Sequence, residues 1–322
     1  MLFMKLSLIV PCYNEAENIE LFQSETIKAF CGCGYSYEIV FIDDGSKDAT
    51  LHQLKKVYAG GKCPVKVISF SRNFGKESAL YAGLQYASGE YVSLIDADLQ
   101  QRPEIVREMV SFLDSNPDYD MVAAYQDRRS EGKVLSFFKK SFYKIINKLS
   151  DVALQPDASD FRTFRRSVRD SILELGEYHR FSKGIFAWVG YNTKYIPYTA
   201  CKRAHGTTKW SFGKLLNYAI EGIIGYSTAP LRLASWLGGL TGVAAVLYLL
   251  VVLIQKLFWG IDVPGYATIV LLILFFASVQ LFCIGIIGEY VGRSFEQSKN
   301  RPIYIAKEVL GENDTPNEQR KQ

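Results

Sequence analysis

Two stretches near the C-terminus restrict this chain more than anything else in it. Residues 233–255, between Arg232 and Lys256, run for 23 residues without a charge, and residues 263–288, between Asp262 and Glu289, run for 26. A helix needs ~20 predominantly apolar residues to cross a bilayer core. Core helices of soluble domains are seldom so long and so uniformly apolar. The sequence therefore predicts two membrane helices, about 233–256 and 265–288. The link over 257–265 holds no Lys or Arg, whereas the opposite flanks carry Lys202, Arg203, Lys209, Lys214, Arg232, Arg293, Lys299 and Arg301. The positive-inside bias then puts both termini in the cytoplasm and the link outside. Lys256 and Trp259 suit the outer interface, and a two-helix hairpin is too thin to enclose a channel of its own.

What remains is long enough for one large domain, and 48% apolar residues suffice for a sizeable core. The expected division is 1–230 soluble, 231–290 hairpin and 291–322 tail. A net charge of +4 decides nothing about nucleic acid without a patch to carry it, and no nucleic-acid partner is expected. The six cysteines form no C-x-x-C pair and the three histidines are scattered, so no zinc spacing arises. They read as free thiols of a reducing compartment. Residues 1–11 are apolar but short, and Asn14, Glu15 and Glu17 follow them, so no signal peptide is expected.

Apolar runs rich in Ile, Val, Leu and Phe predict strands at 5–11, 37–42, 65–70, 91–95 and 120–124. Helices are expected between them at 15–30, 47–58, 76–87 and 103–113, with Gly89 after the third and Pro103 opening the fourth. Unbroken apolar strands alternating with helices mean an α/β fold with a mostly parallel sheet covered on both faces. Such sheets bind ligands beyond the carboxyl ends of their strands. That rule points to 11–15, 43–46, 71–76 and 96–100, where the unusual polar residues gather. No G-x-G-x-x-G follows the first strand, which disfavours a dinucleotide site.

Several residues there can carry chemistry. Asp96 and Asp98, two apart at a strand end, can converge on a hard cation such as Mg²⁺ or Mn²⁺, with Gln100 as a neutral oxygen ligand. A solvated turn would look the same in isolation; the position after a buried strand favours the site. Asp44 can accept from a nucleotide, or Asp43 and Asp44 can cap the helix that follows, with Ser46 or Asp48 as further caps. Tyr13 can stack on a base or pack in the core. Lys76 is one of few cations near these loops.

The ordered set P-C-Y-N-E (11–15), D-D-G-S (43–46), S-R-N-F-G-K (71–76) and D-A-D-L-Q (96–100) resembles the family-2 glycosyltransferases of GT-A fold. S-D-F-R (159–162), H-G-T-T-K-W-S (205–211) and A-P-L-R (229–232), with the hairpin, make the chain similar to the bactoprenol glucosyltransferase group of polyprenyl-phosphate glycosyltransferases. Dolichol-phosphate mannose synthases are more distant. The likeness covers roughly residues 5–300, and it is the ordered set that is specific rather than any single motif.

The resemblance implies that Pro11, Tyr13, Glu15 and Asp44 hold the nucleotide, with Lys76 facing base or phosphates. It assigns metal and diphosphate to Asp96, Asp98 and Gln100. It places Asp160 and Arg162 near the sugar and acceptor, and Arg203 and Lys209 on a basic loop that meets phosphates. Arg128 and Arg129 are offered as acceptor-phosphate ligands because they follow the fifth strand; surface charge is their plain alternative. A metal-dependent, inverting transfer of one sugar follows, glucose from UDP-glucose being the first choice and GlcNAc, galactose, mannose or an aminoarabinose the alternatives. A processive synthase is disfavoured, because no Q-x-x-R-W motif is present, and a scaffold without activity would lack the motif residues.

A phosphate acceptor is already an anion at pH 7 and needs positioning more than a base. Asp160 is therefore expected to orient a hydroxyl or an Arg. Residues 135–149 read as a basic amphipathic helix for the membrane surface, with a second candidate over 210–226. An ordinary surface helix is the alternative for each. A short helix or strand is expected within 299–309 and a disordered tail from Gly311. Glycines at 238, 239, 242, 285 and 288 offer close helix contacts and lead to the expectation of a homo-oligomer; that it is a tetramer is what the resemblance alone implies. The expected location is the bacterial plasma membrane.

Overall fold

The computed structural model describes residues 4–126, 147, 155, 158–201, 222–259 and 265–311. Arg128, Arg129, Arg203 and Lys209, the 205–211 motif, the basic helix expected over 135–149, most of the one expected over 210–226, and the tail beyond 311 lie outside these residues.

The first part of the chain alternates as its apolar runs require: β1 (Leu6–Cys12), α1 (Ile19–Phe30), β2 (Tyr37–Asp43), α2 (Thr50–Ala59), β3 (Val65–Phe70), α3 (Lys76–Tyr86), β4 (Tyr91–Leu94), α4 (Pro103–Ser115) and β5 (Met121–Gln126). β6 (Ala158–Arg165), α5 (Arg166–Glu174), α6 (Ser182–Trp188) and β7 (Thr193–Tyr198) follow. Then come two long helices, α7 (Ala229–Trp259) and α8 (Tyr266–Ser298), and a last strand, β8 (Ala306–Leu310).

The eight strands form one sheet, ordered β7-β5-β6-β4-β1-β2-β3-β8. Parallel pairing joins β3, β2, β1 and β4, and also β5 with β7. β6 runs antiparallel between β4 and β5, and β8 runs antiparallel along β3. The sheet is therefore mixed, and its parallel half is the part that the apolar runs reveal.

Successive strand residues face opposite sides, and both sides are covered. Leu6, Leu8 and Val10 of β1 join Ile39 and Phe41 of β2 under α1, α2 and α4. Ile9, Val40 and Ile42 face the other way, under α3, α5 and α6. Both faces being buried is why these strands read as unbroken apolar runs.

Two helices begin later than their sequence pattern indicates. α1 starts at Ile19, not at 15, because the backbone N–H groups of Glu15 and Ala16 donate to Thr50 Oγ1 (2.9 Å) and Asp48 Oδ2 (3.4 Å). α2 starts at Thr50, not at 47. Lys47 N–H is taken by Asn14 Oδ1 (2.9 Å), and the Asp48 carboxylate accepts from Thr50 N–H (3.0 Å). The two loops that end β1 and β2 are thus stitched together side by side.

α7 and α8 are long and apolar enough to cross a membrane over Ala229–Val252 and Thr268–Ser298, with mean hydropathies of 1.9 and 2.8. Their apolar faces are open: Leu240, Leu257, Leu271 and Leu281 are each exposed by two thirds or more. A Cβ added at Gly238, Gly239, Gly242, Gly285 or Gly288 would meet nothing within 4 Å. The space that a side chain would take at each of these glycines is open. The base of α8 is tied to the sheet-bearing part: Gln297 accepts from Tyr178 N–H (2.7 Å) and donates to Gly176 C=O (2.9 Å), and His179 pairs with Glu296.

Candidate active site

The loops at the carboxyl ends of β1, β2, β3 and β4 meet on one edge of the sheet. Their residues are mostly held by one another. Asp43 is buried and accepts from Ser69 hydroxyl (2.8 Å) and Ser46 N–H (3.0 Å), so it braces the ends of β2 and β3. Asp44 turns into the loop after β3. Its Oδ1 accepts from Phe74 N–H (2.6 Å) and its Oδ2 from Gly75 N–H (3.0 Å). The N-cap of α2 is Ala49, so neither aspartate caps that helix, and Asp48 accepts from Thr50 N–H just ahead of it.

Gly45 follows Asp44 with φ +65°. A Cβ there would stand 2.4 Å from the Arg72 carbonyl carbon and 2.7 Å from Asn73 N. Only glycine lets the two loops come this close. Asn14 also takes a left-handed backbone (φ 55°), and its N–H donates to Ser46 Oγ (3.0 Å). Glu15 Oε2 accepts from Asn18 Nδ2 (2.6 Å). Pro11 and Tyr13 are half-buried beside this stitched pair of loops.

The charged centre is Lys76, the first residue of α3. Its Nζ lies 2.7 Å from Asp96 Oδ1, beyond β4, and 3.3 Å from Asp160 Oδ2, on β6. Three residues far apart in sequence thus share one ammonium. Burial works against the Asp160 carboxylate, but Lys76, Lys183 and Arg162 outweigh it and hold its pKa at about 2. Its second oxygen, Oδ1, is buried and accepts no hydrogen bond from the described residues. A buried acceptor left open in this way matches a donor supplied by a ligand, such as a sugar hydroxyl.

Asp96 is fixed on its other side by Gln101, whose Nε2 donates to Oδ2 (3.3 Å) and whose Oε1 accepts from Asp96 N–H (3.0 Å). Asp98 Oδ1 accepts from Gln100 N–H (3.1 Å), and Leu99 between them has φ 57°. Among the described residues no three His, Cys, Asp or Glu converge as a metal cage. From the described residues a divalent cation here draws two carboxylates, Asp96 and Asp98, and its shell has room for substrate phosphate and water. That donor set fits Mg²⁺ or Mn²⁺ held jointly with a diphosphate.

Arg162 is placed differently from the residues around it. It is 4% exposed, its guanidinium lies 3.9 Å from the centre of the Phe186 ring, and Nη2 donates to Ser159 C=O (2.9 Å). It acts on Asp160 from within the sheet.

Three residues of this region carry no sequence motif. Gln101 brackets Asp96, Lys183 faces Asp160, and Glu77 joins α3 to α6. Glu77 accepts from Ser182 N–H (3.0 Å) and from the Ser182 hydroxyl. Burial, and then the neighbouring Asp160, push Glu77 up to about 7. Burial likewise pushes Asp44 up to about 6, against the two N–H groups that donate to it. An unfolded glutamate titrates near 4.5. Between pH 4.5 and 7 the folded chain therefore keeps a proton that the unfolded chain has lost. This stability is complete below pH 4.5 and is lost as pH rises through 7. Glu77→Gln is expected to flatten the fall in melting temperature between pH 4.5 and 8, and an unchanged slope would contradict the assignment.

Comparison with known proteins shows the family. The sequence profile "Glycosyl transferase family 2" matches residues 7–174, from β1 to the end of α5, and "GtrB C-terminal hairpin" matches 229–294, the two long helices. The bactoprenol glucosyl transferase of Shigella phage SfV is 40% identical over 94% of this chain and 98% of its own length. The prophage bactoprenol glucosyl transferase homolog of Escherichia coli K12 is 38% identical over 95% and 99%. Among solved structures, glucosyl-3-phosphoglycerate synthase of Mycobacterium tuberculosis, with Mn²⁺, uridine diphosphate and phosphoglyceric acid, is similar over 69% of this chain and 76% of its own, at 20% identity and TM-score 0.48. The chain is a glycosyltransferase. It belongs to glycosyl transferase family 2 and carries the hairpin that the GtrB profile describes.

Proposed function

We propose that the chain transfers one sugar from a nucleotide-sugar, UDP-glucose first among the candidates, to a polyprenyl phosphate at the cytoplasmic face of a bacterial plasma membrane. The observation that carries this reading is the Lys76–Asp96–Asp160 cluster at the strand ends of a sheet whose chain runs on into two exposed apolar helices. End-to-end similarity to relatives named bactoprenol glucosyl transferases supports the acceptor and the sugar.

In this reading Pro11, Tyr13, Glu15 and the loop held by Asp44 contact the nucleotide. Asp96, Asp98 and Gln100 hold a divalent cation together with the diphosphate, and when bound the cation offsets the charge of the leaving nucleotide. Lys76 holds Asp96 and Asp160 in place and keeps Asp160 ionised, and Asp160 Oδ1 takes a sugar hydroxyl. Asp160 is too weak a base at a pKa of about 2 to remove a proton, and an ionised phosphate acceptor has none to give up. Arg128, Arg129, Arg203 and Lys209 are proposed for the acceptor phosphate on the resemblance alone. Attack from the face opposite the leaving group inverts the anomeric carbon.

The topology supports a cytoplasmic placement of both termini. β8, which follows the hairpin, lies in the same sheet as β1, so both ends of the hairpin return to one side. Arg232, Arg293, Lys299 and Arg301 cluster at those ends. The open glycine faces of α7 and α8 are consistent with a homo-oligomer. The test is transfer of labelled sugar from UDP-glucose into an organic-extractable lipid in the presence of undecaprenyl phosphate; label that appears without the phosphorylated lipid would contradict the acceptor.

A further inference from the structure

We propose that the segment after the second membrane helix is a working part of the donor site, with Tyr304 as a positioning residue for the 71–75 loop. The inference rests on the reading of that loop as a nucleotide-sugar contact.

β8 does more than cap an edge strand. Its pairing with β3 runs from Val67 opposite Leu310 to Phe70 opposite Ala306, with a register shift between Ser69 and Phe70. Beyond the shift the contact continues, as Ser71 N–H donates to Ile305 C=O (3.0 Å). The first residue of the loop is therefore fixed by the post-hairpin chain. Tyr304 adds a second hold. Its ring stacks on Phe70 with centroids 4.8 Å apart and planes 22° apart, and its hydroxyl donates to Gln85 Oε1 of α3 (2.6 Å). Phe70 in turn meets Phe74 edge to face, with centroids 5.8 Å apart.

The order of contacts is Tyr304, Phe70, Phe74, then the Phe74 and Gly75 N–H groups on Asp44, then Lys76 on Asp96 and Asp160. Tyr304 touches the strand before Lys76 and the helix that Lys76 begins. It can set the loop's position without touching a ligand. It also makes the donor site depend on a segment that reaches the sheet only after α8.

The test is titration of UDP into the purified full-length protein in detergent, with donor KM and kcat measured alongside. Tyr304→Ala is expected to weaken UDP binding about 10-fold and raise donor KM by a similar factor, with kcat within about twofold. Tyr304→Leu, which keeps apolar bulk if the alanine protein is poorly folded, shifts both in the same direction. Tyr304→Phe keeps the stack and stays within about twofold of the parent. Gly311→Ala serves as the comparison: its Cβ would stand 2.6 Å from Val65 C=O, at the end of the β3–β8 pair away from the loop. It should lower the melting temperature and leave UDP binding unchanged. Tyr304→Ala and Tyr304→Leu proteins that bind UDP as tightly as the parent would overturn the inference. A parent protein that binds neither UDP nor GDP would overturn the donor-site reading beneath it.

Discussion

Lys76→Met is expected to lower sugar transfer about 100-fold while leaving the fold nearly as stable. The first half follows from what the ammonium holds. It is within 4 Å of two carboxylates, one beyond β4 and one on β6; without it Asp96 loses this ion pair and Asp160 is left to Lys183 and Arg162. Removing one preorganised charged contact from an active site costs about 100- to 1,000-fold in kcat. The second half follows from exposure. The Lys76 side chain is 44% accessible, so solvent screens the pair and its loss costs at most about 1 kcal/mol of stability. With Lys76 gone, Asp160 also rises from about 2, and the acid limb of the activity profile moves to higher pH. Transfer assays across pH, with melting curves beside them, check all three statements. A variant that is unfolded, or one with full activity, would contradict them.

Gly45→Ala is expected to damage both stability and donor binding, for a reason that no contact energy of the parent residue conveys. The left-handed backbone costs an L-residue ~1–2 kcal/mol. The new Cβ would also stand 2.4 Å from a backbone carbon of Arg72, which has no flexible end to swing away. The loop after β3 must shift, and with it the N–H groups that Asp44 holds. A total loss of about 2–4 kcal/mol is expected, together with a rise in donor KM. Gly34→Ala separates the two terms. Gly34 has φ +77° with nothing within 4 Å of its Cβ position, so only the backbone cost applies and donor KM should not move. Equal effects at the two positions would mean that the close approach at Gly45 is unimportant.

The parallel half of the fold is legible in the sequence because both faces of β1, β2 and β3 are buried, which leaves unbroken apolar runs. The starts of α1 and α2 are not legible, since periodicity cannot show that Asn14, Thr50 and Asp48 take backbone N–H groups from the facing loop. β6 is visible only as the S-D-F-R motif, and its antiparallel insertion between β4 and β5 is a non-local pairing with no local signal. β8, A-K-E-V-L, is short and half polar because it lies at an edge. Its sequence permits a strand but cannot name β3 as the partner.

The site divides in the same way. Asp44, Lys76, Asp96, Asp98 and Asp160 are recognisable from motif and position, and the structure brings Lys76, Asp96 and Asp160 together. That one ammonium serves two of these carboxylates could not be read, because it depends on where β6 is inserted. Gln101, Glu77, Lys183 and Tyr304 act through geometry alone. The D-A-D-L-Q motif ends at Gln100, so Gln101, the side chain that brackets Asp96, carries no motif signal.

The most direct test of the central claim is a transfer assay with the full-length protein in membranes. Labelled UDP- and GDP-sugars are offered with undecaprenyl phosphate, with undecaprenol, or with no lipid, each with and without chelator, beside Asp98→Asn. The expected result is organic-extractable label from one donor, with UDP-glucose first, only in the presence of the phosphorylated lipid. That label should be lost with chelator and reduced at least about 100-fold in Asp98→Asn. No labelled lipid from any donor, from protein that is folded and binds nucleotide, would contradict the polyprenyl phosphate acceptor; label that survives both the chelator and Asp98→Asn would contradict the metal-dependent site.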